Sequence, residues 1–431
     1  MEKNDKKVIR SWAFFDWANS AYNLVITSTI FPAYYTIITT TKEHGDQVVF
    51  FGHTFTNTAL SNYALSFAYL VMVILLPILS SVADYRGNKK VFMQFFTYIG
   101  GLACIGLYFF KLDTLELGII CFVIAAMGYI GGVMFNNSYL PEIATVDQQD
   151  RVSAKGYAFG YVGSVLLQII CFVFVLKPGL FGITDLSFPP RLSFLLVGLW
   201  WIGFAQIPFR KLPAGSPNYK AINKHVVKSG FQELAKVWVQ LKHMKFLKTF
   251  LTAFFFYSMG VQTIMLAAAG FGEKTLQLGT EKLIIVILII QLVAILGAML
   301  MSAFAKRVGN VNVLMFVVVI WIGTCFCAYF ITTAMQFYGL AAIVGLIMGG
   351  IQSLSRSTYS KFLPENTPDT ASYFSFYDVT EKLAIVIGLF SFAFIEEVTG
   401  SMRNSIIALA SFFVIGLVFL LLLKRVETKV D

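Results

Sequence analysis

The chain has 431 residues, of which 57% are hydrophobic and only 13% are charged, and its formal net charge is +10. Soluble globular domains carry about a quarter charged residues, so this composition excludes an ordinary soluble enzyme or binding module. The long apolar stretches instead predict an all-α integral membrane protein.

Twelve apolar stretches are long enough to cross a bilayer as helices, since a hydrocarbon core of about 30 Å needs about 20 such residues. Transmembrane barrels are excluded, because their strands alternate in polarity and are much shorter. In chain order, the predicted spans are residues 12–40, 57–82, 90–111, 115–140, 154–177, 191–210, 246–271, 281–305, 311–334, 337–362, 373–396 and 402–424.

Basic residues are distributed unevenly between the two sides of these spans. Residues 1–10 are polar and do not read as a cleavable signal, so an even number of spans places both termini on one side. If that side is the cytoplasm, 24 of the 33 lysines and arginines lie in inner segments. The positive-inside rule therefore predicts cytoplasmic termini, and the positive charge predicts contact with anionic lipids.

The cysteines and histidines give no indication of a metal site or a disulfide framework. All five cysteines lie inside apolar spans, and the four histidines lie in loops or near interfaces without metal-binding spacing. There is no nucleic-acid-binding motif and no combination of nucleophile and base typical of a membrane enzyme. We therefore expect no metal, no cofactor, no catalytic residue and no nucleic-acid partner.

The first span carries a polar stripe. Asp16, Asn19 and Asn23 recur at intervals of three and four residues, which places them on one face of a helix. Such a face contacts protein or water, and similar polar residues occur in the fourth, seventh and tenth spans. Each could instead form an interhelical hydrogen bond. As a set, the candidate substrate-binding residues are Asp16, Asn19, Tyr22, Asn23, Asn136, Asn137, Gln262, Gln352 and Arg356.

Three short patterns occur at matching places in the first and last six spans. The pairs are Ser80-x3-Asp84-x2-Gly87-Asn88 with Ser302-x3-Lys306-x2-Gly309-Asn310, Leu140-Pro141-Glu142 with Leu363-Pro364-Glu365, and Gly128-x3-Gly132 with Gly345-x3-Gly349. Repeats in register are typical of transporters built from two related halves. The paired glycines predict close approach of another helix or of a substrate.

A polar stretch from Arg210 to Lys248 separates the two sets of spans. Its apolar residues recur at helical spacing while lysines occupy other faces, which predicts an amphipathic helix on the membrane surface. The same pattern fits a solvated linker helix equally well. The apolar residues are Phe231, Leu234, Trp238 and Leu241, and the lysines are Lys228, Lys236 and Lys242. The predicted organisation is a first bundle in residues 1–210, a cytoplasmic linker in 211–245 and a second bundle in 246–431.

Ionisable residues within the spans are the strongest indication of function, because such side chains are costly in hydrocarbon without a partner. Arg356 on the tenth span is predicted to pair with Asp378 or Glu381 on the eleventh. A carboxylate at Asp16 or Glu381 that exchanges a proton, and a cytoplasmic gate that never titrates, are alternative interpretations. The candidate proton-coupling or gate residues are Asp16, Asp84, Arg356, Asp378, Glu381 and Lys382.

Several of these segments resemble a known family. The turn Asp84-Tyr85-Arg86-Gly87-Asn88-Lys89 resembles the loop signature of the major facilitator superfamily, although Ser80 and Asn88 replace a usual glycine and a usual basic residue. The segment Trp12-Ala13-Phe14-Phe15-Asp16-Trp17-Ala18-Asn19-Ser20-Ala21-Tyr22 resembles the opening signature of its vacuole-effluxer branch. Other segments similar to that branch are residues 137–142, 156–163, 349–357 and 371–382.

This resemblance implies twelve helices that work by alternating access, with the first, fourth, seventh and tenth lining a cavity. It also implies amino-acid efflux, with which fungal vacuolar members are associated, and a monomer in a bacterial inner (cell) membrane. Two residues depart from the pattern, since Met259 stands where an aspartate is expected and Glu381 where a small residue is expected. Any ion-coupling role of a seventh-helix acid is therefore absent or relocated.

Neutral amides, tyrosines and one deep arginine suit a small zwitterion or organic anion. Arg356 would bind a carboxylate through its fork of donors, and Asp16 would face an ammonium group. We therefore expect a secondary transporter of an amino acid or a related solute, with proton-coupled efflux as one mode. The alternatives are a carrier of hydrophobic drugs, a lipid scramblase and a receptor, because the 43 phenylalanines suit either apolar substrates or packing in lipid.

Overall fold

A computed structural model describes residues 2–42, 44–215 and 226–427, which are mostly helical. The helices are α1 Lys6–Ala21, α2 Phe31–Thr39, α3 Asn57–Arg86, α4 Lys89–Gly106, α5 Leu115–Asn137, α6 Leu140–Ile143, α7 Gln149–Leu176, α8 Phe188–Lys211, α9 Val226–His243, α10 Lys245–Lys274, α11 Thr280–Val308, α12 Asn310–Phe330, α13 Ala334–Lys361, α14 Thr370–Thr399 and α15 Met402–Glu427. A hairpin of strands β1 Gln47–Phe50 and β2 His53–Thr56 joins α2 to α3.

Ten helical segments in the described part of the chain are long and apolar enough to span a membrane. They correspond to ten of the predicted spans, and the all-α membrane class is thereby confirmed. The other two predicted spans are the first, which is divided into shorter segments, and the eleventh, α14, which carries Asp378, Glu381 and Lys382. Charge inside α14 lowers its hydropathy, although the helix is as long as its neighbours.

The first span is not one continuous α-helix, because residues Tyr22–Ile30 between α1 and α2 form a π-helix. Hydroxyl groups within this segment bond to carbonyl groups five residues back. Ser28 Oγ donates to the carbonyl of Asn23 (2.9 Å), and Thr29 Oγ1 donates to that of Leu24 (2.8 Å). Side-chain donors of this kind support the widened turns of a π-helix.

The π-helix interrupts the predicted polar stripe. Asp16 and Asn19 lie in the regular helix α1 and are buried, whereas Asn23 lies in the π-helical segment and is exposed. The three residues of the predicted stripe therefore differ in burial, and their common role stays a prediction.

The helices pack as two groups. Helices α1, α3, α4, α5, α7 and α8 contact one another and form the first half, and α10 to α15 form the second half. The halves meet where α3 contacts α14 and where α7 contacts α11 and α13. The predicted limits of the linker, residues 211 and 245, stay predictions, because part of that segment lies outside the described residues.

Glycines allow close helix crossings within each half. A methyl group on Gly128 of α5 would lie 2.8 Å from the backbone nitrogen of Gly100 on α4. On α13, a methyl group on Gly349 would lie 2.8 Å from the carbonyl carbon of Ala294 on α11, and Gly345 faces the backbone of the same helix. Any larger residue would push the two backbones apart. The predicted close approach at these glycines is confirmed.

Helix α9 contacts both halves, through α3 of the first and α14 of the second. The Tyr373 hydroxyl on α14 donates to Gln240 Oε1 (2.9 Å), and the Trp238 ring centroid lies 5.6 Å from that of Phe376. Leu241 is buried, whereas Trp238 is about half exposed. The predicted helix is thus present and packs partly on protein. The side chains outside the described part of this helix include Lys228 and Phe231. We call the end of the bundle that carries α9 the linker end.

Candidate functional site

Arg356 on α13 forms an ion pair with Asp16 on α1, across the interface between the halves. Arg356 Nη1 lies 3.1 Å from Asp16 Oδ2, and the side chains are only 2% and 10% exposed. Burial strengthens the attraction because little water screens it, and each charge offsets the desolvation of the other. The pair therefore ties the first helix of one half to the other half.

Three further donors of Arg356 are also bonded to the first half. Nη1 donates to Asn137 Oδ1 (3.0 Å), Nε to Ser153 Oγ (3.0 Å) and Nη2 to the Ser153 carbonyl (2.8 Å). The guanidinium carbon lies 4.7 Å from the Trp12 ring centroid and 4.2 Å from that of Tyr157. A planar guanidinium can both stack on rings and donate in several directions, which a lysine cannot do.

Asp16 is held in place by its own neighbours. Its Oδ1 accepts a hydrogen bond from Asn136 Nδ2 (3.2 Å), and Trp12 Nε1 donates to the Asn136 carbonyl (2.8 Å). Gly156 on α7 leaves room for the ion pair, since a Cβ atom there would lie 2.7 Å from Arg356 Nη2 and 2.8 Å from the Trp12 ring. A side chain at position 156 would therefore displace the pair.

A second charged cluster lies on α14 within the second half. Lys382 Nζ is 2.5 Å from Glu381 Oε2, and Gln262 Nε2 on α10 donates to Glu381 Oε1 (3.0 Å). Asp378, one turn earlier on α14, is 1% exposed. Its Oδ2 atom has no hydrogen-bond partner within the part of the chain that is described. We call Asp378, Glu381 and Lys382 the α14 cluster.

Tyrosines of the first half face the α14 cluster. Tyr69 on α3 and Tyr129 on α5 are close enough to interact electrostatically with Glu381 and Lys382. Tyr69, Tyr129 and Glu381 are partly exposed, so protein does not fully cover any of the three. Two hydroxyl groups of the first half therefore lie within electrostatic range of charges of both signs on α14.

The pairing predicted for Arg356 is wrong. Arg356 was expected to bind Asp378 or Glu381 of the next span, but it binds Asp16, which is 340 residues away in sequence. Glu381 pairs with Lys382 of its own helix instead. Arg356 projects from α13 toward α1 and α7, whereas Glu381 faces α10, and adjacency in sequence does not specify which helix faces meet.

Asp84 at the end of α3 binds the start of α14. One carboxylate oxygen accepts hydrogen bonds from the backbone N–H and the hydroxyl of Ser372 (both 2.7 Å), and the other accepts from the Ala371 N–H (3.2 Å). A carboxylate is favoured at this position because the first N–H groups of a helix lack internal partners and carry partial positive charge. Asp84 therefore joins the two halves.

Two further ion pairs lie at the linker end. Lys89 Nζ is 2.5 Å from Glu142 Oε1, which also accepts a hydrogen bond from Thr370 Oγ1 (2.9 Å). Lys361 Nζ is 2.5 Å from Asp150 Oδ2. The sequence did not predict these pairs, although Glu142 belongs to the repeated Leu-Pro-Glu pattern. With Asp84 and the Arg356 pair, they close the linker end of the interface.

The other predicted substrate-binding residues do not gather at one place. The Tyr161 hydroxyl donates to Gln352 Oε1 (2.6 Å) between the halves, and Gln262 belongs beside the α14 cluster. Asn19 and Tyr22 are buried, and their Oδ1 and hydroxyl atoms have no hydrogen-bond partner among the described residues. The predicted set thus divides between the Arg356 pair, the contact of Tyr161 with Gln352, the α14 cluster and the first helix.

A cavity of about 40 Å³ lies apart from these polar groups, between α10, α11, α12 and α13. Its walls are almost wholly apolar and include Ile264, Phe271, Val286 and Phe337. A space of this size holds little more than one or two water molecules. It is therefore too small to be the substrate site.

Known proteins resemble all or a large part of this chain. Residues 4–431 match the family model described as vacuole effluxer Atg22 like. The chain is 31% identical over 432 residues to the MFS-type transporter YxiO of Bacillus subtilis (strain 168). The aligned region covers 100% of this chain and 98% of that protein. It is 24% identical over 286 residues to Autophagy-related protein 22-2 of Aspergillus clavatus, covering 60% of this chain and 45% of that protein.

Solved structures of the major facilitator superfamily share the fold. The crystal structure of the transporter FucP in its outward conformation has a TM-score of 0.70 at 13% identity, covering 97% of this chain and 98% of that one. The proton:xylose symporter XylE has a TM-score of 0.65 at 13% identity, and the match covers 96% of this chain and 94% of that one. Both the superfamily and the branch predicted from the residues are confirmed. The chain belongs to the vacuole effluxer Atg22-like family and is a membrane transporter of the major facilitator superfamily.

Proposed function

We propose that this chain is a secondary transporter of a small zwitterion, such as an amino acid, that works by alternating access. The observation that carries the proposal is the position of Glu381 and Lys382, which place opposite charges beside partly exposed tyrosines of the other half. Ionisable groups within membranes concentrate along substrate and ion pathways, because elsewhere their desolvation has no compensation. The family resemblance, which implies amino-acid efflux, also supports a zwitterionic substrate.

Asp16 and Arg356 serve in this proposal as a gate at the linker end. Their hydrogen-bonding groups are engaged by each other and by Asn136, Asn137 and Ser153. A substrate carboxylate could reach Arg356 only by displacing Asp16, at the expense of a buried, charge-assisted hydrogen bond. The sequence-based assignment of these two residues to the substrate is therefore replaced by a gating role.

The linker end faces the cytoplasm of a bacterial cell in this proposal. Basic residues concentrate in the segments at that end, which include both termini, as the positive-inside rule requires. The contacts at Asp84, Glu142 and Asp150 keep this end closed. A substrate would then approach the α14 cluster from outside, and transport requires these contacts to break.

Proton coupling falls to Asp378 rather than to Asp16 or Glu381. Asp16 is paired with Arg356 and Glu381 with Lys382, so Asp378 shares Lys382 with Glu381 and forms no ion pair of its own among the described residues. A proton on Asp378 makes the five groups neutral overall, and a neutral carboxyl is less costly to bury than an ionised one. Release of this proton when the interface opens would link transport to the proton gradient.

Counterflow in liposomes tests the proposed function. Purified protein is reconstituted into liposomes loaded with unlabelled amino acids, and uptake of labelled amino acids is compared with uptake by protein-free liposomes. Uptake above the protein-free level for at least one amino acid is expected. Failure of all twenty common amino acids to exchange or compete would overturn the assignment. Parallel assays with a fluorescent lipid and a hydrophobic dye test the alternatives of a scramblase and a drug exporter.

A further inference from the structure

We infer that Glu381 and Lys382 form the headgroup site for the transported zwitterion, with Lys382 binding its carboxylate and Glu381 its ammonium group. This inference rests on the proposed function and specifies which residues recognise the substrate. It differs from the sequence-based expectation, in which Arg356 and Asp16 had these roles and Glu381 and Lys382 were candidate proton-coupling or gate residues.

The contacts of the two residues separate them from the gate. Gln262, the other hydrogen-bond partner of Glu381 in the described part of the chain, also belongs to the second half. The pair therefore does not hold the halves together, unlike Asp16 and Arg356. It can exchange partners without opening the linker end, which is what a substrate site must do before the transporter changes orientation.

The position of the pair suits a ligand that enters between the halves. The Glu381 side chain is 18% exposed and that of Lys382 is 7% exposed. Tyr69 and Tyr129 of the first half lie on helices that contact α14 and are within electrostatic range of both charges, so a ligand bound here would lie near both halves. Phenolic hydroxyls can donate to a carboxylate and can also accept from an ammonium group.

Charge balance selects the class of ligand. A zwitterion that inserts between Lys382 and Glu381 replaces one ion pair by two charge-assisted contacts and leaves every charge paired. A simple anion would take Lys382 and leave Glu381 unpaired, and a simple cation would do the reverse. Breaking a buried pair by removal of one partner is strongly unfavourable. The site therefore favours ligands that carry an ammonium group and a carboxylate a few bonds apart.

Stability alone does not account for the pair. A buried ion pair contributes little to stability relative to apolar residues of similar size, because desolvation offsets the attraction. Glu381 and Lys382 are neighbours on one helix, so their contact also fixes no register between helices. A role in recognition explains why two opposite charges on one helix lie near partly exposed tyrosines of the other half.

The test compares variants by counterflow with the amino acid that the wild-type protein transports best. The variants are Lys382→Gln, Glu381→Gln and the conservative Lys382→Arg, and the matched control is Glu397→Gln, an exposed acid near the other end of α14. Competition by the methyl ester, which lacks the carboxylate charge, and by the N-acetyl derivative, which lacks the ammonium charge, is measured for each protein.

We expect both wild-type protein and Glu397→Gln to discriminate at least tenfold against each derivative. Lys382→Gln should lose discrimination against the methyl ester only, and Glu381→Gln should lose discrimination against the N-acetyl derivative only. Lys382→Arg should still discriminate against both derivatives. Transport by both glutamine variants with wild-type KM and wild-type selectivity would overturn this inference while leaving the proposed function intact. Absence of any zwitterion transport by wild-type protein would overturn both.

If a variant fails to fold, competition measured with the wild-type protein still tests the inference. Derivatives that lack one charge must compete at least tenfold more weakly than the intact amino acid if both charges are recognised. Equal competition by either derivative would contradict the inference without any variant. Size-exclusion elution in detergent identifies which variants are folded.

Discussion

Arg356 is positioned by its aromatic and small neighbours as much as by its charge. Trp12 and Tyr157 lie against the guanidinium plane, and Gly156 leaves the space in which Asp16 reaches it. The charge alone could have been satisfied by any nearby carboxylate. The combination of rings, backbone carbonyl and carboxylate fixes one orientation, which suits a gate that is either formed or broken.

Loss of either charge of the gate should impair transport more than reversal of both. Removing one partner of a buried pair costs about 3–5 kcal/mol, because the other charge is left without compensation. We expect Asp16→Asn and Arg356→Gln each to lower the counterflow rate at least tenfold, and the double exchange Asp16→Arg with Arg356→Asp to restore part of it. Asp147→Asn, on an exposed loop, is the control. Wild-type rates in both single variants would contradict the gating role.

Gly156→Ala should disturb the same gate without changing any charge. The added methyl group would lie 2.7 Å from Arg356 Nη2, and overpacking of this kind costs about 1–3 kcal/mol. We expect a lower transport rate and a lower unfolding temperature in detergent. Gly203→Ala on α8 is a matched control, since a methyl group there has no neighbour within 4 Å. Equal effects of the two alanines would show that space at position 156 is unimportant.

Asp378→Asn should separate substrate exchange from proton movement. The amide has a size similar to that of a protonated carboxyl but cannot release a proton, so exchange at equal pH should continue. Accumulation driven by a pH gradient should fall at least tenfold. Both are measured in the same liposome preparation, with a pH-sensitive dye reporting proton flux. Gradient-driven accumulation at the wild-type level would exclude Asp378 as the coupling residue.

At the scale of elements, α14 combines three roles that its sequence reveals only in part. Its first N–H groups bind Asp84 of the other half, its middle carries the α14 cluster, and its beginning contacts helix α9 through Tyr373. The Asp84 contact joins the two halves, whereas the ion pair of the α14 cluster lies within the second half. In the proposed cycle, movement of α14 relative to α3 would exchange a closed linker end for an open one.

The crossing of α11 and α13 supports this arrangement and can be tested through its glycines. A methyl group on Gly349 would lie 2.8 Å from a backbone carbon of α11, which cannot move as a side chain can. We expect Gly349→Ala to destabilise the protein by about 1–3 kcal/mol. Gly339→Ala on the same helix meets no atom within 4 Å and should be close to neutral. Thermal unfolding in detergent distinguishes the two, and similar unfolding temperatures would contradict the prediction.

For the whole molecule, alternating access requires that the contacts between α3 and α14 break and reform. The hydroxyl oxygens of Ser81 and Ser372 lie 3.3 Å apart across this interface. This separation is short enough for a disulfide after replacement of both residues by cysteine. Helices α3 and α14 would then be linked at the linker end.

Oxidation of Ser81→Cys with Ser372→Cys should abolish counterflow, and a reducing agent should restore it. The background carries Cys327→Ser, because Cys327 is the exposed cysteine among those described. Each single cysteine variant, treated with the same oxidant, is the control. A cross-linked protein that still exchanges substrate would rule out movement at this interface as a transport step.

Sequence patterns predicted those features that depend on the solvent and on local repetition. Apolar length predicted the spans because a bilayer has a fixed thickness, and the paired glycines predicted close crossings because only small residues permit them. Asp84 and Glu142 were marked by repeated motifs. Ser153 and the pair of Lys361 with Asp150 had no such signal, since their partners are distant in sequence.

The sequence by itself therefore determined the membrane class, the family and the residues whose charges require compensation. Only the tertiary structure decided which charges compensate one another. The sequence shows that an ionisable residue in a span needs a partner. The identity of that partner depends on which helix faces meet in the folded protein. Arg356 accordingly pairs with Asp16 across the interface, and the neighbouring Glu381 and Lys382 pair with each other on α14.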